Sequence, residues 1–230
     1  MKTIGILGGM SAASTQIYYR QLCTLARERL GGLHSPDLLI RSLDFAAIEA
    51  LQAAGEWGRA GKRLNAEALA LERGGADFLI LATNTMHKVA DAMMHGVSIP
   101  LLHIADATAH GIQRAGLGRP GLMATAFTME QSFYTDRLVA AGLEPIIPSA
   151  DDRTLTHRII YDELCRDIVT DDSRAAYVGI ASRLVARGAD SLILGCTEVG
   201  MLLDQGNVSV PVFDTTLVHC EAALEMALAS

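Results

Sequence analysis

Two side chains with proton-handling chemistry occupy matching places in two near-copies of one segment. The chain writes "GGADFLILATNTMHKV" from Gly74 to Val89 and "RGADSLILGCTEVGML" from Arg187 to Leu202. Thr83 in the first copy and Cys196 in the second stand 113 residues apart, the same spacing that separates Ala76-Asp77 from Ala189-Asp190. A cysteine thiol ionises readily beside a helix start or a cation and then acts as a base. A threonine hydroxyl is a far weaker acid, but it can pass a proton taken from water or from a neighbour such as His87.

Elements of regular type must hold these two residues. "TIGILGG", "LLIRSLDF", "ADFLILAT" and "IPLLHI" read as buried strands in the first half, and "PGLMAT", "EPIIP", "ADSLILG" and "VPVFD" in the second. Helical text separates them: a segment starting on Ser14 as N-cap and ending on Gly31-Gly32, then "RAGKRLNAEALALERGG", "KVADAMMH", "ADATAHGIQRAG", "TMEQSFYTDRLVAAG", "DRTLTHRIIYDELCRDI" and a final helix from about Thr215. This alternation predicts an α/β fold with parallel sheets. "SIPLL" at Ser98 and "SVPVF" at Ser209 repeat one strand further on, 111 residues apart, so two consecutive strands are copied in order. The expectation is two similar parallel-sheet α/β domains related by a pseudo-twofold: residues 1–103 with 215–230 carrying Thr83, and residues 104–214 carrying Cys196.

Ligands of parallel sheets sit beyond the carboxyl ends of the strands. Thr83 and Cys196 each follow such an end, so the predicted active site is a cleft between the domains, with one group on each wall. That geometry suits a racemase or epimerase, in which a base takes a proton from one face of a carbon and an acid returns one to the other.

Around the two turns, Asn84, Thr85 and Thr197 carry small polar groups that suit an α-carboxylate and an ammonium, although helix capping by itself is the readier explanation of such residues. His87 and Glu198 stand behind the turns, where each could tune its neighbour. Gly8, Gly9 and Met10 follow the first strand; "GGM" is not GxGxxG, and the glycines read either as a tight turn or as an approach for an anion at a helix start.

The chain resembles the cofactor-independent aspartate/glutamate racemases over essentially its whole length. The resemblance lies in "ILGGMSAAST", "TNTMHK", "IIYDEL" and "GCTE". It implies two proton-transfer residues flanking a substrate α-carbon, no cofactor, and an acidic amino acid as the small-molecule partner. Family members usually carry cysteine in both turns, and this chain is similar to a subfamily with threonine in the first. The resemblance further implies that Cys196 handles the L-enantiomer, Thr83 serves the D side, Met10 contacts substrate, and Gln52 and Arg166 serve the distal carboxylate. A homodimer is the form common among relatives.

Composition narrows the rest. The net charge is −7 and no basic stripe alternates with aromatics, which argues against a nucleic-acid partner. No apolar run approaches the roughly 20 residues that cross a bilayer. The opening segment leads into strand and turn rather than a cleavage site, and Cys23, Cys165, Cys196 and Cys220 lack CxxC spacing, so a cytoplasmic protein with reduced thiols is expected. The histidines show no metal-ligand spacing, and only Lys2, Lys62 and Lys88 could form a Schiff base; neither a metal nor pyridoxal phosphate is expected. Two rivals stay open: a diacid decarboxylase or cis-trans isomerase using the single cysteine, and a non-catalytic amino-acid-binding relative.

Overall fold

A computed structural model describes residues 1–166 and 168–229, with Glu198 described by its backbone alone. The chain divides into two compact units, Met1–Ile104 with His219–Ser230 and Ala105–Val218. The first unit contains β1 (Ile4–Gly8), α1 (Ala12–Leu30), β2 (Leu38–Ser42), α2 (Phe45–Ala53), α3 (Trp57–Arg73), β3 (Phe78–Leu81), α4 (Ala90–Met93) and β4 (Leu101–Leu102). Helix α5 (Ile104–Arg114) carries the chain into the second unit, with β5 (Pro120–Ala124), α6 (Ala126–Glu130), α7 (Ser132–Ala140), α8 (Ala150–Asp162), α9 (Asp171–Ala186), β6 (Ser191–Gly195) and β7 (Val212–Asp214). Helix α10 (Thr215–Leu228) carries it back.

Both sheets are parallel, in the order β2-β1-β3-β4 and β5-β6-β7. Central strands β1, β3 and β6 are buried at every position, and apolar but for Ser191, because both sheet faces are covered. In the first unit Leu7, Leu79 and Leu81 join the α3 side of the core, while Ile4, Ile6, Phe78 and Ile80 face α1 and α10. In the second unit Leu192 and Leu194 pack with Ile159, Ile160, Tyr177 and Ile180.

The repeated segments repeat their bonds. Asp77 accepts the Thr3 amide at 2.7 Å, and Asp190 accepts the Gly118 amide at 2.7 Å. Leu79 donates to the Pro100 carbonyl at 2.8 Å, and Leu192 to the Pro211 carbonyl at 2.9 Å. Gly75 and Gly188 turn each chain into its strand with φ of 97° and 93°. The "GAD" lead-in is therefore a strand anchor in both units: the glycine makes the left-handed bend and the aspartate ties the incoming strand to its neighbour.

Several boundaries differ from the sequence expectation. Helix α1 is capped by Ser11, whose hydroxyl accepts the Ser14 amide, and not by Ser14. Ser14 instead donates to the Ala82 carbonyl at 3.2 Å, which joins the first turn to the end of β3. "EPIIP" is not a strand but a single bridge between Gly121 and Ile146. Glu144 still donates to the Gly118 carbonyl at 2.8 Å, but Pro120 on one side and Pro148 on the other have no amide proton to carry the ladder on. The helix expected across "TMEQSFYTDRLVAAG" breaks at extended Gln131 into α6 and α7. Arg166 lies in a short 3-10 turn, Leu164–Arg166, after α8 ends.

The turn after β1 admits no side chain. Gly9 has φ of 86°, and a β-carbon there would lie 2.2 Å from the backbone nitrogen and oxygen of Leu43. Gly9→Ala is expected to destabilise the fold by about 3 kcal/mol or more, through forbidden dihedral and backbone overlap together. Urea denaturation followed by circular dichroism measures it.

Candidate active site

Thr83 and Cys196 each follow the carboxyl end of a central strand, β3 and β6, and each is half-buried. Each is succeeded by a five-residue 3-10 turn, Thr85–Val89 in the first unit and Thr197–Met201 in the second. Neither turn is capped by a side chain: Asn84 and Cys196 hold the N-cap positions without a side-chain capping bond.

The first unit gathers Met10, Gln52, Thr83, Asn84, Thr85 and His87. Asn84 and Thr85 are buried at the mouth of the turn. Met10 is buried in the core cluster with Leu43, Ile48 and Met86. Gln52, on α2 and buried, donates its amide to the Met86 sulfur, which seats α2 beside the Thr83 turn. The Gly9 amide is already taken by the Thr15 hydroxyl at 2.7 Å, so this turn does not offer that donor to an anion.

His87 is buried and both ring nitrogens bind backbone. Nδ1 donates to the Thr83 carbonyl at 2.7 Å, and Nε2 accepts the Ile104 amide at 3.3 Å. The ring is therefore the neutral Nδ1–H tautomer, and it braces the Thr83 main chain and not its hydroxyl. Burial, with His103 and His219 nearby, pushes its pKa well below the ordinary histidine value of 6.5.

The second unit gathers Arg166, Cys196 and Thr197. The 3-10 turn of Arg166 packs against the turn that follows Cys196, and Arg166 itself is exposed. The side chain of Glu198 lies outside the described residues. Sequence reasoning missed Arg174, whose guanidinium donates to the carbonyls of Leu202 at 2.6 Å and Met201 at 3.1 Å. This cation closes the C-terminal end of the Cys196 turn, where unsatisfied carbonyls favour positive charge. It also missed Asp214, at the end of β7 beside β6. One Asp214 oxygen accepts the amides of Thr216 and Leu217 and so caps α10. A β-carbon at Gly200 would lie 3.3 Å from the other, and burial raises its pKa above the usual carboxylate value. Carrying the strand repeat one residue further pairs Asp214 with His103, a signal the sequence did contain.

A buried group of histidines stands behind the Thr83 turn. The His87 and His103 ring centroids are 4.3 Å apart, and His219 on α10 lies 6.2 Å from His87. Burial lowers the His219 pKa to about 4. The folded chain therefore resists a proton that the unfolded chain binds. Stability from this group is fully present above pH about 6.5 and is lost as pH falls towards 4, by up to about 3 kcal/mol. Denaturation measured across that window should show the slope, and His219→Gln should remove its share.

Among the described residues, no three His, Cys, Asp or Glu side chains are grouped so as to hold a metal ion. No described helix is long and apolar enough to cross a membrane.

A sequence profile of Asp/Glu/Hydantoin racemases matches residues 7–223. The chain belongs to this family. Among similar structures of the racemase fold, a Yersinia pestis protein provisionally described as an Asp/Glu racemase is 46% identical, with a TM-score of 0.94 and full coverage of both chains. An aspartate racemase homologue from Pyrococcus horikoshii OT3 is 34% identical, with a TM-score of 0.88 and full coverage of both. The broad specificity amino-acid racemase RacX of Bacillus subtilis (strain 168) is 22% identical, with 98% of each chain aligned.

Proposed function

We propose that this chain is a cofactor-independent racemase of aspartate and glutamate that handles the L-enantiomer more readily. The observation that carries the reading is the paired turn. In a member of the racemase family, the same strand and 3-10 turn present a hydroxyl in one unit and a thiol in the other.

In this mechanism Cys196, as thiolate, removes the α-proton of the L-substrate, and Thr83 delivers a proton on the D side. Because both nitrogens of His87 are committed to backbone, the Thr83 proton is drawn from solvent. The hydroxyl is the weaker base, so abstraction from the D-enantiomer is the harder step. Asn84, Thr85 and Thr197 bind the α-substituents, Met10 shapes the pocket, and Gln52 and Arg166 receive the distal carboxylate. In this reading the two turns serve opposite faces of one carbon.

The test is α-proton exchange in D2O, followed by NMR, on both enantiomers of aspartate and glutamate. Exchange of an L-substrate with appearance of its D-enantiomer supports the reading. Absence of exchange with all four sinks it. A single thiol also suits one-sided protonation of a small diacid; carbon dioxide release, or maleate turned to fumarate, would identify that reaction instead.

A further inference from the structure

Resting on that reading, we propose that Tyr18 and His219 are positioning residues for the Thr83 turn, acting through the corner between β4 and α5 and through His87. The Tyr18 hydroxyl donates to His219 Nδ1 at 2.8 Å, and His219 Nε2 donates to the Leu102 carbonyl at 2.9 Å. The Ile104 amide donates to His87 Nε2, and His87 Nδ1 donates to the Thr83 carbonyl. The two peptide groups flanking His103 are thus each held by a different histidine: the carbonyl before it by His219, the amide after it by His87.

Each bond fixes the direction of the next. A carbonyl can only accept, so His219 must carry its proton on Nε2, and Nδ1 is left to receive the tyrosine hydroxyl. His87 must carry its proton on Nδ1, since Nε2 faces an amide donor. Tyr18, His87 and His219 are all buried, so no water replaces a lost partner cheaply. The His87 ring stands against both His103 and His219, and a shift of the corner moves its Nε2 partner with it. The helix that closes the chain thereby sets the backbone at Thr83.

The experiment compares wild type, Tyr18→Phe, His219→Leu and His219→Gln. Glutamine can donate to Leu102 and accept from Tyr18, so it is the rescuing variant. Two rates are read with L-glutamate in D2O: α-proton exchange, which depends on Cys196, and formation of the D-enantiomer, which also needs Thr83. The ratio of D-product to exchange is expected to fall about tenfold in Tyr18→Phe and His219→Leu and to recover in His219→Gln, since small misplacement of a reacting group costs rate steeply. Parallel loss of both rates, or an unchanged ratio, would overturn the proposal. The 15N shifts of the His87 ring report the same link without substrate: they should move in Tyr18→Phe, and unmoved shifts would overturn the proposal too. A wild type that exchanges no substrate would sink the racemase reading and leave the ring shifts to decide the link.

Discussion

Cys196→Ser is expected to lower α-proton exchange of L-aspartate and L-glutamate by about a thousandfold, with folding intact. A positioned acid-base group contributes roughly 10²–10⁴ in rate, and a serine hydroxyl keeps the shape of the thiol while giving up its ionisation. Cys196 is half-buried, extended and at the start of a turn held by Arg174, touching the second unit's core only at its edge, so the smaller oxygen costs little packing. The measurement is the decay of the α-proton signal in D2O. Exchange within tenfold of wild type would remove Cys196 from the proton-transfer step.

Thr83→Val gives the second large effect, and it differs in kind. Valine matches threonine in volume and branching, so the bond from His87 to the residue 83 carbonyl survives. Racemisation of the L-substrate is expected to fall by about a hundredfold or more, while exchange at the L-centre persists, because Cys196 can return a solvent-exchanged deuteron to the face it came from. Thermodynamics adds a check. Free enantiomers have equal free energy, so kcat/KM for the two directions must fall together in this variant. A preference for the L-enantiomer can appear in kcat and KM separately but not in their ratio.

Much of this was legible in the sequence because burial on both faces leaves an unmistakable text. Strands β1, β3, β5 and β6 are buried throughout and apolar but for Ser191, and the copied "GAD" carries a bond that the fold reuses at Asp77 and Asp190. The placement of Thr83 and Cys196 after equivalent strands followed from that copy. What stayed hidden depends on choices between equal local options or on partners far away in sequence. Ser11 and Ser14 both suit an N-cap, and only the Ala82 carbonyl decides which one is free to cap. "EPIIP" has the apolar content of a strand, but Pro148 and the facing Pro120 lack the amides that would carry it past one bridge. Arg174 looks like any helical surface arginine until its guanidinium is found on the carbonyls of the Cys196 turn. Tyr18 and His219 meet across 201 positions of chain, a distance at which no periodicity or motif gives warning.

The first unit is written in two pieces, and that has a consequence for how the protein is made. Lys2 at one end bonds the Ala227 carbonyl near the other, and Cys220, Ala223, Leu224 and Ala227 fill the core face shared with Ile4, Ile6 and Tyr18. Chains emerge from the ribosome N-terminus first, and domains fold as units once their residues are available. Here the order is inverted. The Cys196 unit has all its residues by Val218, whereas the earlier-made Thr83 unit must wait, its core open along one face, for the last helix to arrive. A chain cut after Val218 would keep every residue of the Cys196 unit and leave the Thr83 unit with one hydrophobic sheet face exposed.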